Sequence, residues 1–311
     1  MTELPSVLPG PGLPGRVRIY EVGARDGLQN EKSIIDVDTK VEFINQLIAT
    51  GLPIVEATSF VHPKWVPQLA DAAEVIKRLP LDGPVPLPVL VPNERGLDRA
   101  LAAGCGHIAV FASATETFAN KNLNSTYADQ FDTFAPVVAR ALAAGVDARG
   151  YLSMCFGDPW EGQVPISNVV AAGVRLLDMG VTELSLGDTI GTGTPGHVQA
   201  LVAGFEAAGV SADRLAMHFH DTYGQALANT YAALQSGITT FDASAGGLGG
   251  CPYAKSATGN LATEDLVWML NGVGIEHGVD LNALVKTSVW MADKLGRTSP
   301  SAVVRALAAD V

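Results

Sequence analysis

The sequence has little positive charge, only three cysteines and no long apolar run, and each scarcity excludes a class of protein. Lys and Arg number 20 against 32 Asp and Glu, which gives a net charge of −12. A nucleic-acid partner is not expected, because phosphate binding requires clustered Lys and Arg. No stretch reaches the roughly 18 apolar residues of a transmembrane helix, so a membrane partner is not expected either.

The cysteines and the N-terminus indicate a cytoplasmic protein. Cys105, Cys155 and Cys251 are odd in number and widely spaced, which predicts neither a disulfide framework nor a structural zinc site and fits a reducing compartment. Residues 1–15 are rich in Pro and Gly without a basic start, so we interpret them as a flexible lead-in and not as a targeting peptide. Residues 16–311 contain no linker and are expected to form one domain.

A short pattern recurs along the chain: a helix end of small residues, a glycine, and then a brief apolar strand. The glycines stand where the end of a helix requires a left-handed residue. The segments are residues 49–60, 102–113, 143–154, 178–189, 207–221 and 235–244, with Gly51, Gly104, Gly145, Gly180, Gly209 and Gly237. Further strands at 16–22 and 85–91 complete a set of eight.

Eight strand–helix units predict an α/β fold, a (β/α)₈ TIM barrel, with extra C-terminal helices from about residue 279. A doubly wound open sheet is the alternative, but eight regular units favour closure. A length of 311 residues and a hydrophobic content of 48% suit a barrel of this size.

His218 and His220 end the apolar run at 215–220 and are the first candidates for chemistry. Side chains alternate along a strand, so both imidazoles are expected on one face. Two imidazoles at the end of a strand can bind a divalent metal. The alternative is that one histidine packs in a core and the other is solvated.

Polar residues also follow the other strands, at the barrel end where active sites are found. They are Arg25 and Asp26; Glu56, Thr58 and Ser59; Arg149, Tyr151 and Ser153; Asp188 and Thr189; and Asp242. Their convergence predicts a catalytic site. The segment GTGTPG (191–196) matches a dinucleotide fingerprint. It follows the sixth strand instead of the first, so a NAD-dependent oxidoreductase is the weaker alternative.

Long motifs between about residues 17 and 296 resemble the 3-hydroxy-3-methylglutaryl-CoA lyase family of metal-dependent TIM-barrel lyases. The motifs are RDGLQNEK (25–32), FVHPKWVPQ (60–68), SLGDTIGTGTPG (185–196), HFHDTYGQALANT (218–230) and GLGGCPYAKSATGNLATEDLV (247–267). The last is similar to the signature loop of the family.

This resemblance implies a metal centre and a set of catalytic groups. The implied ligands of one Mg²⁺ or Mn²⁺ ion are Asp26, His218, His220 and Asn260. Glu56 would orient the ligand shell, and Arg25 would neutralise the carbonyl oxygen as it gains charge. Asp26 or His218 would act as the base, and Cys251 would donate a proton from the Gly-rich loop.

The resemblance also implies the substrate and the residues that contact it. The reaction would be a retro-aldol cleavage of 3-hydroxy-3-methylglutaryl-CoA to acetyl-CoA and acetoacetate, as in leucine degradation. The pocket would be lined by Arg149, Tyr151, Asp188 and Thr189, and coenzyme A or substrate would be positioned by Lys32, Lys121, Asn122 and Asn124. A homodimer is expected by analogy with other barrel enzymes.

The turn FGDPWEG (156–162) departs from the family, with Asp158 where Cys is frequent and Trp160 where Tyr is frequent. These residues are expected to change the charge and shape of the pocket rim. Ala24 replaces a frequent Pro. A longer 3-hydroxy-3-alkylglutaryl-CoA therefore stays open as the substrate. Claisen-condensing synthases of the isopropylmalate or homocitrate type, and a catalytically inactive binding protein, are further alternatives.

Overall fold

The computed structural model describes residues 5–250 and 259–310, and these residues form parallel strands with helices packed around them. The strands are β1 Arg18–Glu21, β2 Ile54–Val55, β3 Thr58–Ser59, β4 Val89–Leu90, β5 His107–Ser113, β6 Asp147–Ser153, β7 Leu184–Asp188, β8 Leu215–Phe219 and β9 Thr240–Ala243. The helices are α1 Val37–Ala49, α2 Ala72–Lys77, α3 Glu94–Ala102, α4 Glu116–Phe118, α5 Tyr127–Ala143, α6 Ile166–Asp178, α7 Pro195–Ala207, α8 Ala226–Gln235, α9 Thr263–Gly272, α10 Leu281–Leu295 and α11 Ala302–Leu307.

The sheet closes into a barrel through the short strands β2 and β3. The strand order runs β2-β1-β9-β8-β7-β6-β5-β4-β3, and only Glu56 and Ala57 separate β2 from β3. The Glu56 amide donates to the Glu21 carbonyl on one side (2.8 Å), and the Ala57 amide donates to the Pro88 carbonyl on the other (2.9 Å). Because β2 and β3 thus form one stave, the eight-stave barrel is confirmed and the open sheet is wrong.

The predicted glycines end the helices as expected. All six have positive φ, for example 87° at Gly51 and 102° at Gly180. A side chain is disfavoured at such angles, so each glycine lets the chain turn directly from a helix into the next strand. This local device explains why the eight units are so regular in length.

The hydrophobic core lies between the helices and the outer face of the barrel. Phe43, Phe131 and Phe205 come from three different helices, and their side chains are fully buried. The extra C-terminal helices are present as α10 and α11. Trp290 of α10 stacks on Phe43 of α1, with 6.5 Å between ring centroids, so the added helices extend the core.

The barrel interior is more polar than this outer core. It holds a small apolar cluster of Leu90, Ala109 and Tyr151, and beside it several buried charged groups. Residues 5–15 contain neither helix nor strand, and the Leu8 amide donates to the Gly272 carbonyl (2.8 Å). Within the described chain, every helix falls short of the length and apolar character needed to cross a bilayer.

Candidate metal centre and active site

The two histidines at the end of β8 point at the same spot. Their Nε2 atoms lie 3.2 Å apart. His220 is nearly buried, and the side chain of His218 is 12% exposed, toward the cleft described below. Burial, together with the neighbouring His218, lowers the pKa of His220 to about 4. His220 is therefore neutral near pH 7 and keeps a lone pair for a metal ion.

Asp26 approaches this pair from the turn after β1. Its Oδ2 atom lies 4.0 Å from Nε2 of His218, and the ligand atoms of Asp26, His218 and His220 all lie within 4.8 Å of one another. Burial alone would raise the pKa of Asp26, but Arg25 and the two imidazoles lower it below the usual value. The carboxylate is thus charged, as a hard divalent cation requires.

Asn260 completes the group across the barrel mouth. Its Nδ2 atom donates to Oδ2 of Asp26 (2.8 Å) and to the Leu248 carbonyl (3.0 Å). Its Oδ1 atom is buried and has no hydrogen-bond partner within residues 5–250 and 259–310. A buried oxygen without a partner is costly, and a cation would satisfy it. Two imidazole nitrogens and two oxygens suit Mg²⁺ or Mn²⁺ chemically.

Arg25 lies beside the candidate ligands with its charge fixed by two carboxylates. Its Nη1 donates to Oδ1 of Asp26 (2.7 Å), and its Nε donates to Oε2 of Glu56 (2.8 Å). Burial opposes the charge, but Glu56 and Asp26 outweigh it and raise the pKa of Arg25 above its usual value. Glu56, fully buried between β2 and β3, also accepts from the Tyr151 hydroxyl (3.1 Å). Arg25 is therefore a permanent cation facing the cleft.

A buried charged network lies beneath the histidines. Oδ2 of Asp242, on β9, lies 3.2 Å from Nδ1 of His218. Arg149 binds the same carboxylate through both terminal nitrogens (2.6 and 3.1 Å), and its Nε donates to Glu183 (2.8 Å). Ser185 adds a donor to Oδ2 of Asp242 (2.7 Å). Sequence reasoning placed Asp242 at a strand end without a role, and it missed Glu183 and Ser185.

A cleft of about 590 Å³ opens above the candidate ligands. It is lined by Arg25, Asp26, His218, His220, Tyr151, Thr189, Lys121, Asn122 and Asn124, among others. Arg149, Asp188 and Lys32 lie outside its lining, contrary to expectation for the first two. Arg149 precedes Tyr151 by two residues on β6, so it lies one layer deeper in the barrel.

Asp188 turns away from the cleft toward the following loop. Its carboxylate accepts from the Thr192 and Gly193 amides (2.9 Å each) and is 1% exposed. Burial raises the pKa of Asp188 to about 6. These amides belong to the GTGTPG segment. The Asp188 carboxylate thus already accepts from amides that a dinucleotide phosphate would use, which argues against a nucleotide site in this segment.

The unusual turn at 156–162 also differs from expectation. Asp158 is buried and accepts from the Thr115 hydroxyl (2.7 Å) and from the Trp160 amide (2.7 Å), so it stabilises the turn instead of charging the rim. Trp160 is 42% exposed, and Nζ of Lys121 lies 5.0 Å from its ring centroid. Trp160 therefore contacts a residue of the cleft lining, Lys121.

Cys251, the predicted proton donor, lies outside the described residues. Its neighbour Gly250 lines the cleft, and the Gly250 carbonyl accepts from Nδ2 of Asn30 (3.1 Å). Cys105 and Cys155 are free and buried, and burial raises the pKa of Cys105 to about 12. Neither of these thiols is suited to reaction.

Comparisons with known proteins agree with this geometry. The HMGL-like family pattern matches residues 16–290. A mouse protein named mitochondrial hydroxymethylglutaryl-CoA lyase is 50% identical, over 94% of this chain and 90% of its own. The crystal structure of a hydroxymethylglutaryl-CoA lyase from Pseudomonas aeruginosa is similar, with a TM-score of 0.93 and 47% identity, over 96% of this chain and 100% of that one. An HMG-CoA lyase from Acinetobacter baumannii, solved with coenzyme A and 3-methylmalate, has a TM-score of 0.89 and 35% identity, over 94% and 95%.

Proposed function

We propose that this chain, which belongs to the HMGL-like family, cleaves 3-hydroxy-3-methylglutaryl-CoA to acetyl-CoA and acetoacetate. The observation that carries the proposal is the meeting of Asp26, His218 and His220 beside the Arg25 guanidinium in the wall of one cleft. Asn260 binds Asp26 from behind, and its Oδ1 atom has no hydrogen-bond partner among the described residues. The strong likeness to named lyases over nearly the whole chain supports the same conclusion.

Asp26, His218, His220 and Asn260 would hold one Mg²⁺ or Mn²⁺ ion. When bound, such an ion lowers the pKa of a hydroxyl group that it contacts and polarises a nearby carbonyl. Asp26 takes the proton of the tertiary hydroxyl. The other candidate base, His218, would have both ring nitrogens engaged, Nε2 by the ion and Nδ1 by Asp242. The C2–C3 bond then breaks, and its electron pair forms the enolate of acetyl-CoA while the hydroxyl carbon becomes the ketone of acetoacetate.

Arg25 stabilises the negative oxygen of the enolate. Its charge is fixed in place by Glu56 and Asp26 before the substrate arrives, so little reorganisation is needed at the moment of reaction. The enolate carbon is protonated by the thiol of Cys251. A thiol with an ordinary pKa of about 8.5 is mostly protonated at neutral pH and can act as this acid.

A direct assay tests the proposal. Purified protein is incubated with 3-hydroxy-3-methylglutaryl-CoA and, in parallel, with analogues that carry longer 3-alkyl groups, and products are identified by mass. We expect acetyl-CoA and acetoacetate, loss of activity after chelation, and recovery with Mg²⁺ or Mn²⁺. Turnover of only the longer analogues would replace the proposed substrate, and full activity after thorough metal removal would refute the metal requirement.

The thiol is tested separately. Cys251→Ser should lower kcat by about 10²–10⁴-fold, the usual contribution of a general acid. Cys105→Ala is the matched control, because Cys105 is buried and lies outside the cleft lining. Turnover of Cys251→Ser near that of the control would mean that another group donates the proton.

Coenzyme A is proposed to lie along the outer part of the cleft, near Asn122, Asn124 and Lys121. Lys32, which lies outside the cleft lining, is proposed as a further contact. Lys121 is exposed, and an exposed charge contributes up to about 1 kcal/mol. Lys121→Ala should therefore raise KM by about fivefold or less and leave kcat unchanged, whereas His218→Ala should abolish turnover. The reverse order of effects would mean that the substrate lies elsewhere.

The remaining assignments are extensions of the same proposal. We place the enzyme in the cytoplasm, because Cys105 and Cys155 are free thiols. We further propose a homodimer, a single domain over residues 16–311 and a role in leucine degradation.

A further inference from the structure

We infer that Asp242, held by Arg149, is a positioning residue that fixes the tautomer of His218 so that its Nε2 lone pair faces the metal site. This inference rests on the proposed metal centre, since His218 is one of its ligands. It gives the buried network beneath the barrel mouth a role in metal binding, in addition to its role in stability.

The first step concerns the acceptors of Asp242. Both carboxylate oxygens are occupied: Arg149 donates to Oδ1 (2.6 Å) and to Oδ2 (3.1 Å), and Ser185 donates to Oδ2 (2.7 Å). The Arg149 guanidinium keeps this fully buried carboxylate ionised, so the carboxylate can only accept hydrogen bonds. Its contact with Nδ1 of His218 at 3.2 Å therefore requires the imidazole proton to lie on Nδ1.

The second step follows from the chemistry of imidazole. A neutral imidazole with its proton on Nδ1 has its lone pair on Nε2. Nε2 is the atom that faces His220 at 3.2 Å and Asp26 at 4.0 Å. Asp242 thus presents the correct nitrogen to the metal before any metal arrives. Partners behind a metal-bound imidazole act in this way in many metal sites.

The third step explains why the carboxylate itself is immobile. The Arg149 guanidinium carbon lies 3.9 Å from the Tyr20 ring centroid and 4.9 Å from the Tyr151 centroid, and Nε is bound to Glu183. Arg149 is therefore fixed between two rings and two carboxylates contributed by several staves. By contrast, Nδ1 of His220 is buried without a hydrogen-bond partner in the described part of the chain. The network orients one imidazole and not the other.

Asp242→Asn tests the inference because it changes the proton pattern and not the shape. Its amide oxygen would bind Arg149, and its amide NH₂ would then face Nδ1 of His218 and force the proton onto Nε2. Mn²⁺ affinity is measured by electron paramagnetic resonance of free Mn²⁺ in titrations of metal-free protein. We expect the Kd to rise about 10–100-fold. Ser185→Ala is the control, since it removes a donor to the same carboxylate and leaves the contact with His218; its Kd should stay within about threefold of wild type.

A spectroscopic readout separates positioning from loss of structure. Protein labelled with ¹⁵N-histidine and loaded with Mg²⁺ is examined by long-range ¹H–¹⁵N correlation, with His218→Ala used for assignment. We expect a proton on Nδ1 of His218 in wild type and on Nε2 in Asp242→Asn. A proton on Nε2 in the wild type overturns the inference even where the variant does not fold.

The remaining outcomes separate this inference from the proposed function. An Asp242→Asn protein that binds Mn²⁺ as wild type does overturns the positioning role, while cleavage of the substrate by the wild type would still stand. A wild type that binds no Mn²⁺ overturns the metal centre and this inference together.

Discussion

Two fully buried carboxyl groups in this barrel, Asp242 beneath the candidate metal centre and Glu264 beneath the Gly-rich segment, have opposite protonation. Burial would raise the pKa of Asp242, but Arg149 and His218 outweigh it and hold the pKa below its usual value. Glu264 accepts from the Gly246 amide (2.8 Å) and from the Ser288 hydroxyl, which are neutral donors, and burial raises its pKa to about 8. A cationic partner, and not the number of hydrogen bonds, decides the charge.

A second carboxyl group of raised pKa, Glu21, lies beside Glu264. Glu21 accepts from the Gly23 and Ala245 amides (2.8 Å each), and burial raises its pKa to about 7. Glu21 and Glu264 together fix the backbone that leads into the signature loop. The barrel therefore places an ionised network behind the His218 imidazole and two carboxyl groups of raised pKa behind the backbone of residues 245–246.

Breaking the ionised network should have the largest effect on stability. Arg149→Met removes the arginine that binds the buried Asp242 carboxylate through two nitrogens, whereas Glu183 keeps its ion pair with Arg18. We expect the free energy of unfolding to fall by about 3–5 kcal/mol. Urea unfolding measures this. Arg175→Met is the matched control, because Arg175 is 45% exposed and lies 3.5 Å from Asp132, so its loss should be about 1 kcal/mol or less. If both variants lost the same free energy of unfolding, the buried network would contribute no more to stability than a surface ion pair.

The protonated network predicts a pH dependence of the opposite sign to the ionised one. Because the folded-state pKa of Glu264 is raised from 4.5 to about 8, its contribution is fully present below pH 4.5 and is lost as the pH rises through 8. Asp242, whose pKa is lowered, loses its contribution only as the pH falls below 3.8. The contribution of Glu264 to stability should therefore decline between about pH 4.5 and 8, by up to about 1.4 kcal/mol per pH unit.

Urea unfolding across this range, with Glu264→Gln as the comparison, tests the sign. The variant cannot ionise, so its decline with pH should be shallower than that of the wild type. Parallel profiles would show that Glu264 is not the group responsible.

Two serine hydroxyls allow the two networks to be compared through single hydrogen bonds. Ser185 donates to the ionised Asp242, whereas Ser288 donates to Glu264. A hydrogen bond to a charged group contributes about 1.5–3 kcal/mol and a neutral one about 1 kcal/mol. Ser185→Ala should therefore destabilise the protein more than Ser288→Ala at pH 6, as measured by urea unfolding. The difference should narrow at pH 9, where Glu264 is ionised.

The sequence predicted those parts of the molecule that depend on local pattern. The eight staves, the glycines that end the helices and the shared face of His218 and His220 all follow from periodicity along a short segment. The approach of Asp26 to the histidines followed from its place after the first strand and from the family resemblance, and that of Asn260 followed from the resemblance alone.

The sequence did not reveal how deep a side chain lies in the barrel, or which residues far apart in the chain bind each other. Alternation along β6 placed Arg149 and Tyr151 on the same face of the strand. It could not show that Tyr151 lines the cleft while Arg149, two residues earlier, lies in the layer below. The partner of Glu21 at Ala245 is 224 residues away. The carboxylates of Asp158 and Asp188 turn toward their own loops, because nearby amides are closer partners than the cleft.

The two-sided bonding of residues 55–60 has a consequence for how the molecule meets other chains. In an open sheet, the outermost strand carries unpaired amides and carbonyls onto which a foreign strand can dock. Here the amides of Val55, Ala57 and Phe60 reach the carbonyls of residues 86, 88 and 90, while that of Glu56 reaches residue 21. Within the described barrel, the strands are therefore hydrogen-bonded around the whole circumference, and the sheet has no edge strand. A sheet without an edge strand is protected from fibril-like association with other chains.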